Sequence, residues 1–228
     1  TDEADAEWLM LLHTYGLLKA SYQPENEARQ VRNLARHRGN ILKSAGKEVQ
    51  HMQKAMEQMN IKLSNVLSDI VGKSGRAIID AILKGERRPE VLAQLADGRC
   101  KRSKEDIALS LEGTWDEDHL FELKQAYDLY KYLQTQMTEC DHKIEELLMS
   151  YAAVVDTDMS GLVKCNKAIC KKNAVDFDVE KYGYAIWGIN PMTIPGMSAG
   201  SVLQLIGELG HNFVDKFDTP EKFCKWCN

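Results

Sequence analysis

The stretch from Ala28 to Ile70, "ARQVRNLARHRGNILKSAGKEVQHMQKAMEQMNIKLSNVLSDI", decides the fold. Ala28, Val31, Ala35, Arg38, Leu42, Ala45, Val49, Met52, Met56, Met59, Leu63, Val66 and Ile70 follow one another at alternating steps of three and four. Only Arg38 among them is charged. Steps that average 3.5 keep one side of a helix facing a partner, so the spacing predicts a long helix with a coiled-coil seam. From Glu25 to Ile70 such a helix would span roughly 70 Å. Gly39 and Gly46 weaken it, each by about 1 kcal/mol relative to alanine.

A second seam follows at Ala126, Tyr130, Leu133, Met137, Cys140, Ile144, Leu147 and Tyr151, in a helix expected to start at Asp116 or Glu117 and to run to about 151. Acids suit that start because the N-terminal end of the helix dipole is positive. The two rods frame an insertion at 71–115 that reads as short helices. Pro89 opens one of them, and Ser103 with Asp106 forms an aspartate version of the capping box. The fold class expected is therefore all-α: a long antiparallel coiled-coil hairpin with a small helical tip.

Outside the hairpin the pattern changes. Residues 3–15 form an apolar helix stopped at Gly16. Residues 152–181 lose periodicity and turn basic, as a linker arm would. "IPGMSAGSVLQLIGELG" (194–210) is a Pro-Gly turn feeding a helix over Ala199–Leu209 that ends at Gly210. "DTPEKFCKWCN" starts a last helix, with Thr219 as N-cap and Pro220 at the first position.

Composition narrows the classes. The 228 residues are 44% hydrophobic and 28% charged, which suits one or two domains with real cores. No apolar run is long enough to cross a membrane. The net charge of −5 gives no global nucleic-acid signal, so local clusters carry the question. The six cysteines, without a secretory signal, read as reduced thiols. Cys165 with Cys170 and Cys224 with Cys227 could together offer four zinc ligands, but the first spacing is loose and the second pair falls on an expected helix rather than a knuckle turn.

Three constellations bear on function. Asp2 and Asp5 share a helix face and offer hard oxygen ligands for Mg²⁺, although acids also favour any first helical turn. The turn carrying Gly196, Ser198 and Gly200 exposes backbone N–H groups at a helix start, where a DNA phosphate binds, so it looks like half of a helix-hairpin-helix element. "GKSGRAII" (72–79) has a similar Gly-x-x-Gly opening, read mainly as packing. Three basic clusters could neutralise phosphates or simply face water. They contain Arg29, Arg32, Arg36, Arg38 and Lys43 on the long helix, Arg87, Arg88, Lys101 and Arg102 at the tip, and Lys171 and Lys172 in the arm.

In order along the chain, three segments resemble the DEDD-type insertion-sequence transposases of the "one-ten" family, RNA-guided DNA recombinases. "TDEADAEWLMLLHTYGLLKASYQP" resembles the end of their RuvC-like catalytic domain. "HMQKAMEQMNIKLSNVLSDIVGKSGRAIIDAILKGERRPEVLAQLADGRCK" and "SLEGTWDEDHLFELKQAYDLYKYLQTQMTECDHKI" resemble the coiled-coil hairpin of the family's longer branch. "NAVDFDVEKYGYAIWGINPMTIPGMSAGSVLQLIGELGHNFVDKFDTPEKFCKW" resembles the start of the C-terminal transposase domain.

The resemblance implies four segments: 1–22 from the RuvC-like domain, 23–151 the hairpin, 152–181 a basic arm, and 182–228 the start of the transposase domain. It places the last two acids of the catalytic set on Asp2 and Asp5, with Mg²⁺ in the intact enzyme. The family's other two acids would lie upstream of Thr1, and its nucleophilic serine beyond Asn228. The chain is thus expected to be a fragment, inactive alone. The implied partners are DNA, a structured guide RNA and further copies joined through the coiled coil, in a prokaryotic cytoplasm at the nucleoid. Other expectations are a non-catalytic coiled-coil adaptor and a stand-alone helix-hairpin-helix DNA-binding protein.

Overall fold

The computed structural model describes residues 2–18, 22–165, 173–217 and 219–227. Among them every regular element is helical: α1 (Asp2–Thr14), α2 (Asn26–Gln58), α3 (Leu63–Val66), α4 (Lys73–Leu83), α5 (Pro89–Gln94), α6 (Lys104–Leu109), α7 (Glu117–Val155), α8 (Val179–Trp187), α9 (Ala199–Leu209) and α10 (Pro220–Cys227). The all-α expectation holds for the described residues. No helix among them is long and apolar enough to cross a membrane.

The chain divides into two compact units, one of residues 36–143 and one of 1–35 with 144–228. These cut across the four expected segments, because α2 and α7 each contribute residues to both units.

In the 36–143 unit, α2 and α7 run antiparallel. Arg38 pairs with Asp141, while Glu48 and His51 share a cleft with Glu122 and Gln125, so rising numbers on one helix meet falling numbers on the other. Met52, Met56 and Met59 of the seam are fully buried in one core with Leu123 and Tyr127 of α7. The tip helices close that core with Ile78, Ile79, Ile82, Leu92 and Ile107. Burial, then the neighbouring Asp80 carboxylate, pushes the Tyr127 hydroxyl up to about 12.

The first long helix is shorter than its spacing predicts: α2 stops at Gln58, not Ile70. Asn60 adopts a left-handed conformation (φ 60°). The N–H of Ile61 reaches back to the Met56 carbonyl (2.8 Å) and that of Asn60 to Glu57 (2.9 Å). This is the Schellman pattern that satisfies the last carbonyls of a helix. Asparagine tolerates the left-handed region better than most residues. Leu63 and Ile70 are buried as the seam requires, but they reach the same core from a separate short helix and a loop.

Local signals hold elsewhere. The Ser103–Asp106 capping box is present at α6. Gly75 of "GKSG" lies against the backbone of Ile70, where an added Cβ would come within 2.0 Å of the carbonyl oxygen. Packing therefore accounts for that glycine.

In the other unit, α8 and α9 pack on the first turns of α2 and the last turns of α7. The core there includes Val31, Ile144, Leu148, Tyr151, Tyr182, Ile186, Val202 and Ile206. α9 approaches α2 through Gly207, whose Cβ would stand 2.7 Å from the Arg32 Cα. Glu25 ties the unit together. Its Oε1 accepts from the Tyr151 hydroxyl (2.6 Å) and the His211 backbone N–H (2.8 Å), and it pairs with the His211 ring. α8 itself begins at Val179, inside the stretch expected to be an irregular arm.

Candidate nucleic-acid interface

The exposed turn between α8 and α9 is built by ordinary turn chemistry. α8 ends where Gly188 turns left-handed (φ 69°) and its N–H closes on the Tyr184 carbonyl at 2.7 Å. Asn190 is buried and works in three directions. It accepts from the Met192 N–H (3.0 Å) and donates to Glu180 Oε2 (2.6 Å) and to the Val163 carbonyl (2.8 Å). Glu180, 7% exposed, also accepts from the Cys165 N–H at 2.7 Å. Two buried side chains thus pin the arm at 163–165 to the base of the turn. The Trp187 ring N–H, donating to the Gly210 carbonyl at 2.7 Å, ties α8 to the end of α9.

Ile194, Pro195, Gly196 and Met197 then form the reversal. The Met197 N–H bonds to the Ile194 carbonyl (3.2 Å), and Gly196 has φ 86°. Proline second and glycine third is the signature of a type II turn, whose third residue needs positive φ. Ser198 caps α9 by accepting from the Ser201 N–H at 3.1 Å. The first N–H groups of a helix have no intrahelical acceptor. Ser198 takes that of Ser201, which leaves those of Ala199 and Gly200 for another acceptor. Gly196, Ser198 and Gly200 are all exposed, and the turn and helix start expected from the sequence are present. No side chain from Ile189 to Gly207 is charged, so an anion here would be held by backbone dipoles alone.

The basic residues sort differently from their sequence clusters. Arg38 is 8% exposed in the seam, with Nε on Asp141 Oδ1 (2.5 Å) and Nη2 on Oδ2 (3.1 Å). It is a correction to the expected nucleic-acid contacts: its charge is spent inside the fold. Arg32 pairs with Glu208 at 3.2 Å and is only partly exposed. At the tip, Arg87 is half-buried and engaged within the fold. It donates to the carbonyls of Ile82 and Glu86 and lies 5.0 Å over the Trp115 ring. Arg88 forks onto Glu86 at 2.9 and 2.7 Å, and its hydrogen bonds hold the Glu86 carboxyl down to about 2.

Arg29, Arg36, Lys43, Lys101 and Arg102 do stand exposed. Lys101 and Arg102 line a groove of about 610 Å³ with Lys73, Arg99 and the start of α4. Lys171 and Lys172 lie outside the described residues. Lys54 is exposed in line with Lys43 and Lys47, and sequence reasoning passed over it. The 3.5-residue period on the side of α2 opposite the seam was the available signal.

Asp2 and Asp5 are exposed on the first turn of α1, a helix with no buried residue. Among the described residues no group of three or more His, Cys, Asp or Glu side chains is placed to hold a metal ion.

Comparison of the chain with family models, with curated proteins and with solved structures finds no match.

Proposed function

We propose that this chain serves DNA transposition, as the nucleic-acid-holding and helix-pairing part of an insertion-sequence transposase of the one-ten type. The observation that carries the reading is the exposed Pro195–Gly196 turn, with Ser198 capping α9 at the Ser201 N–H and Gly200 exposed beside it. A phosphate fits such a helix start, and contacts of this kind position a duplex without reading its bases. The ordered likeness of three segments to the family supports the same reading.

In this proposal α2 and α7 form the family's antiparallel coiled-coil hairpin. It sets spacing and joins copies of the chain, while the α8–α9 hairpin holds DNA. In the intact enzyme of this reading, Asp2 and Asp5 would supply two of the acids that hold Mg²⁺, and the rest of this chain would contribute positioning. DNA, guide RNA and a second copy are the partners this reading requires.

Gly200→Asp tests it. An acid in the first turn favours the dipole by about 0.3–1 kcal/mol, and replacing a helical glycine adds to that. The Cβ meets only Ser198 Oγ, at 3.9 Å. The variant should melt no lower than the parent yet bind duplex DNA more weakly, because its carboxylate meets the phosphate. Equal DNA affinity in the two chains would remove the hairpin from the interface. A parent chain whose DNA binding does not depend on salt would favour the adaptor.

A further inference from the structure

The outward face of α2 in the 36–143 unit carries Arg36, Asn40, Lys43, Lys47, Gln50 and Lys54 at alternating steps of four and three, all exposed. They lie opposite the buried seam of Arg38, Ala45, Met52 and Met56. The line is straight and roughly 27 Å long. Between Ala28 and Met56 the helix has one carboxylate, Glu48, mostly buried and paired with His51; Glu57 is exposed beyond the end of the line, and Lys54 borders a cleft with Glu122 of α7. The chain as a whole is acidic, at −5. The exposed face of α7 carries both signs, as in Lys124–Asp128 (2.9 Å) and Lys131–Asp128 (2.8 Å). On α2 the like charges Lys43 and Lys47 stand four apart, a spacing that weakens a helix.

Gly39 and Gly46, seven apart, border the same line. Neither is needed for packing: a Cβ on either would meet nothing within 4 Å. Glycine in a helix interior is destabilising, and one use that offsets this is close approach of a ligand to the backbone.

We propose that this face of α2 is a docking surface for the phosphate backbone of a nucleic-acid duplex. Cations with interleaved amides are the side chains that hold phosphate oxygens. The face has no apolar or aromatic anchor, which a protein partner would need at the centre of its interface. It has no Phe, Tyr or Trp on which successive bases of a single strand would stack. It is not a membrane-surface helix, because the apolar side is covered by α7. The inference rests on the transposase reading only in sharing its class of partner, and it names a different surface.

The test uses the full chain with a 20-base-pair DNA duplex and an RNA duplex of the same sequence, over a salt series. The parent should bind, and the tighter duplex identifies the source of the phosphates. R36Q/K43Q/K47Q/K54Q should bind about tenfold more weakly or worse, and its log–log salt slope should be shallower by about 3.6 on DNA. G39A/G46A should melt higher by roughly 2–4 °C per substitution and still bind more weakly. Parent-like affinity and slope in the four-glutamine chain overturns the surface. Parent-like affinity in the double-alanine chain overturns the close backbone approach. Competition by polyglutamate equal to that by duplex overturns the choice of nucleic acid. If Gly200→Asp abolishes binding while the four-glutamine chain binds normally, this surface fails and the transposase reading stands. If the parent binds no nucleic acid, both fail.

Discussion

Removing Arg38 should cost the 36–143 unit far more than removing the pair it belongs to. The Arg38 and Asp141 side chains are 9% and 5% exposed and joined through two nitrogen–oxygen contacts. Taking both charges out of water costs several kcal/mol each, and their attraction roughly repays it. The intact pair is therefore near neutral for stability. Arg38→Ala leaves the Asp141 carboxylate buried without its partner, a loss of about 3–5 kcal/mol. R38M/D141L fills the same space without charge and should match the parent or exceed it by about 1–4 kcal/mol. Urea titration followed by helical circular dichroism measures the difference, and hydrogen exchange over residues 36–58 confirms that the loss is in this helix pair. An Arg38→Ala chain within about 1 kcal/mol of the parent would refute the argument, as would a double variant no more stable than the single one. What the apolar pair should lose is specificity: without the one charged seam contact, hydrogen exchange should detect slipped registers of α2 on α7.

Other outcomes follow from the unit containing α8 and α9. Burial alone would raise the Glu25 carboxyl, but hydrogen bonds from Tyr151 and the His211 backbone, with the His211 charge, hold it below the usual range. Its contribution to stability is complete above the unfolded carboxylate pKa and is lost as pH falls through the lowered folded value. Acid melts of Glu25→Gln should show a flatter dependence in that window, and an unchanged acid limb would count against it. Gly210→Ala should destabilise by about 1–3 kcal/mol or more, measured by thermal unfolding. Its backbone (φ 67°, ψ −167°) suits only glycine, and an added Cβ would come within 3 Å of both Glu25 carboxylate oxygens. A Gly210→Ala chain as stable as the parent would show that this loop relaxes freely.

Part of this protein was legible residue by residue. The start of α6 at Ser103, the turn at Pro195–Gly196, the span of α9 and the start of α10 at Pro220 all depend on neighbours in the chain. Caps and turns are short-range chemistry, and the local sequence contains all of it. The two seams were legible too, because a 3.5-residue period records which side of a helix is buried whatever buries it.

Other features needed the tertiary structure. The seam pattern continued past Gln58 because Leu63 and Ile70 are buried, but burial does not say whether one helix or a bent chain delivers a residue. Asn60 made that choice through its left-handed turn. α8 was missed where buried Glu180 interrupts an apolar face, and that charge is satisfied by Asn190 and Cys165, ten residues ahead and fifteen behind. The basic residues show the division most clearly. By sequence Arg38 and Arg36 are equivalent members of one cluster. The first is buried because Asp141, 103 positions away, lies opposite it, while the second is exposed on the far side of the helix. Sequence by itself determined that α2 is a helix with one apolar side and one basic side, since periodicity is a property of adjacent turns. Only the tertiary structure decided which cations remain outside, because a charge is withdrawn from the surface by a partner distant in the chain.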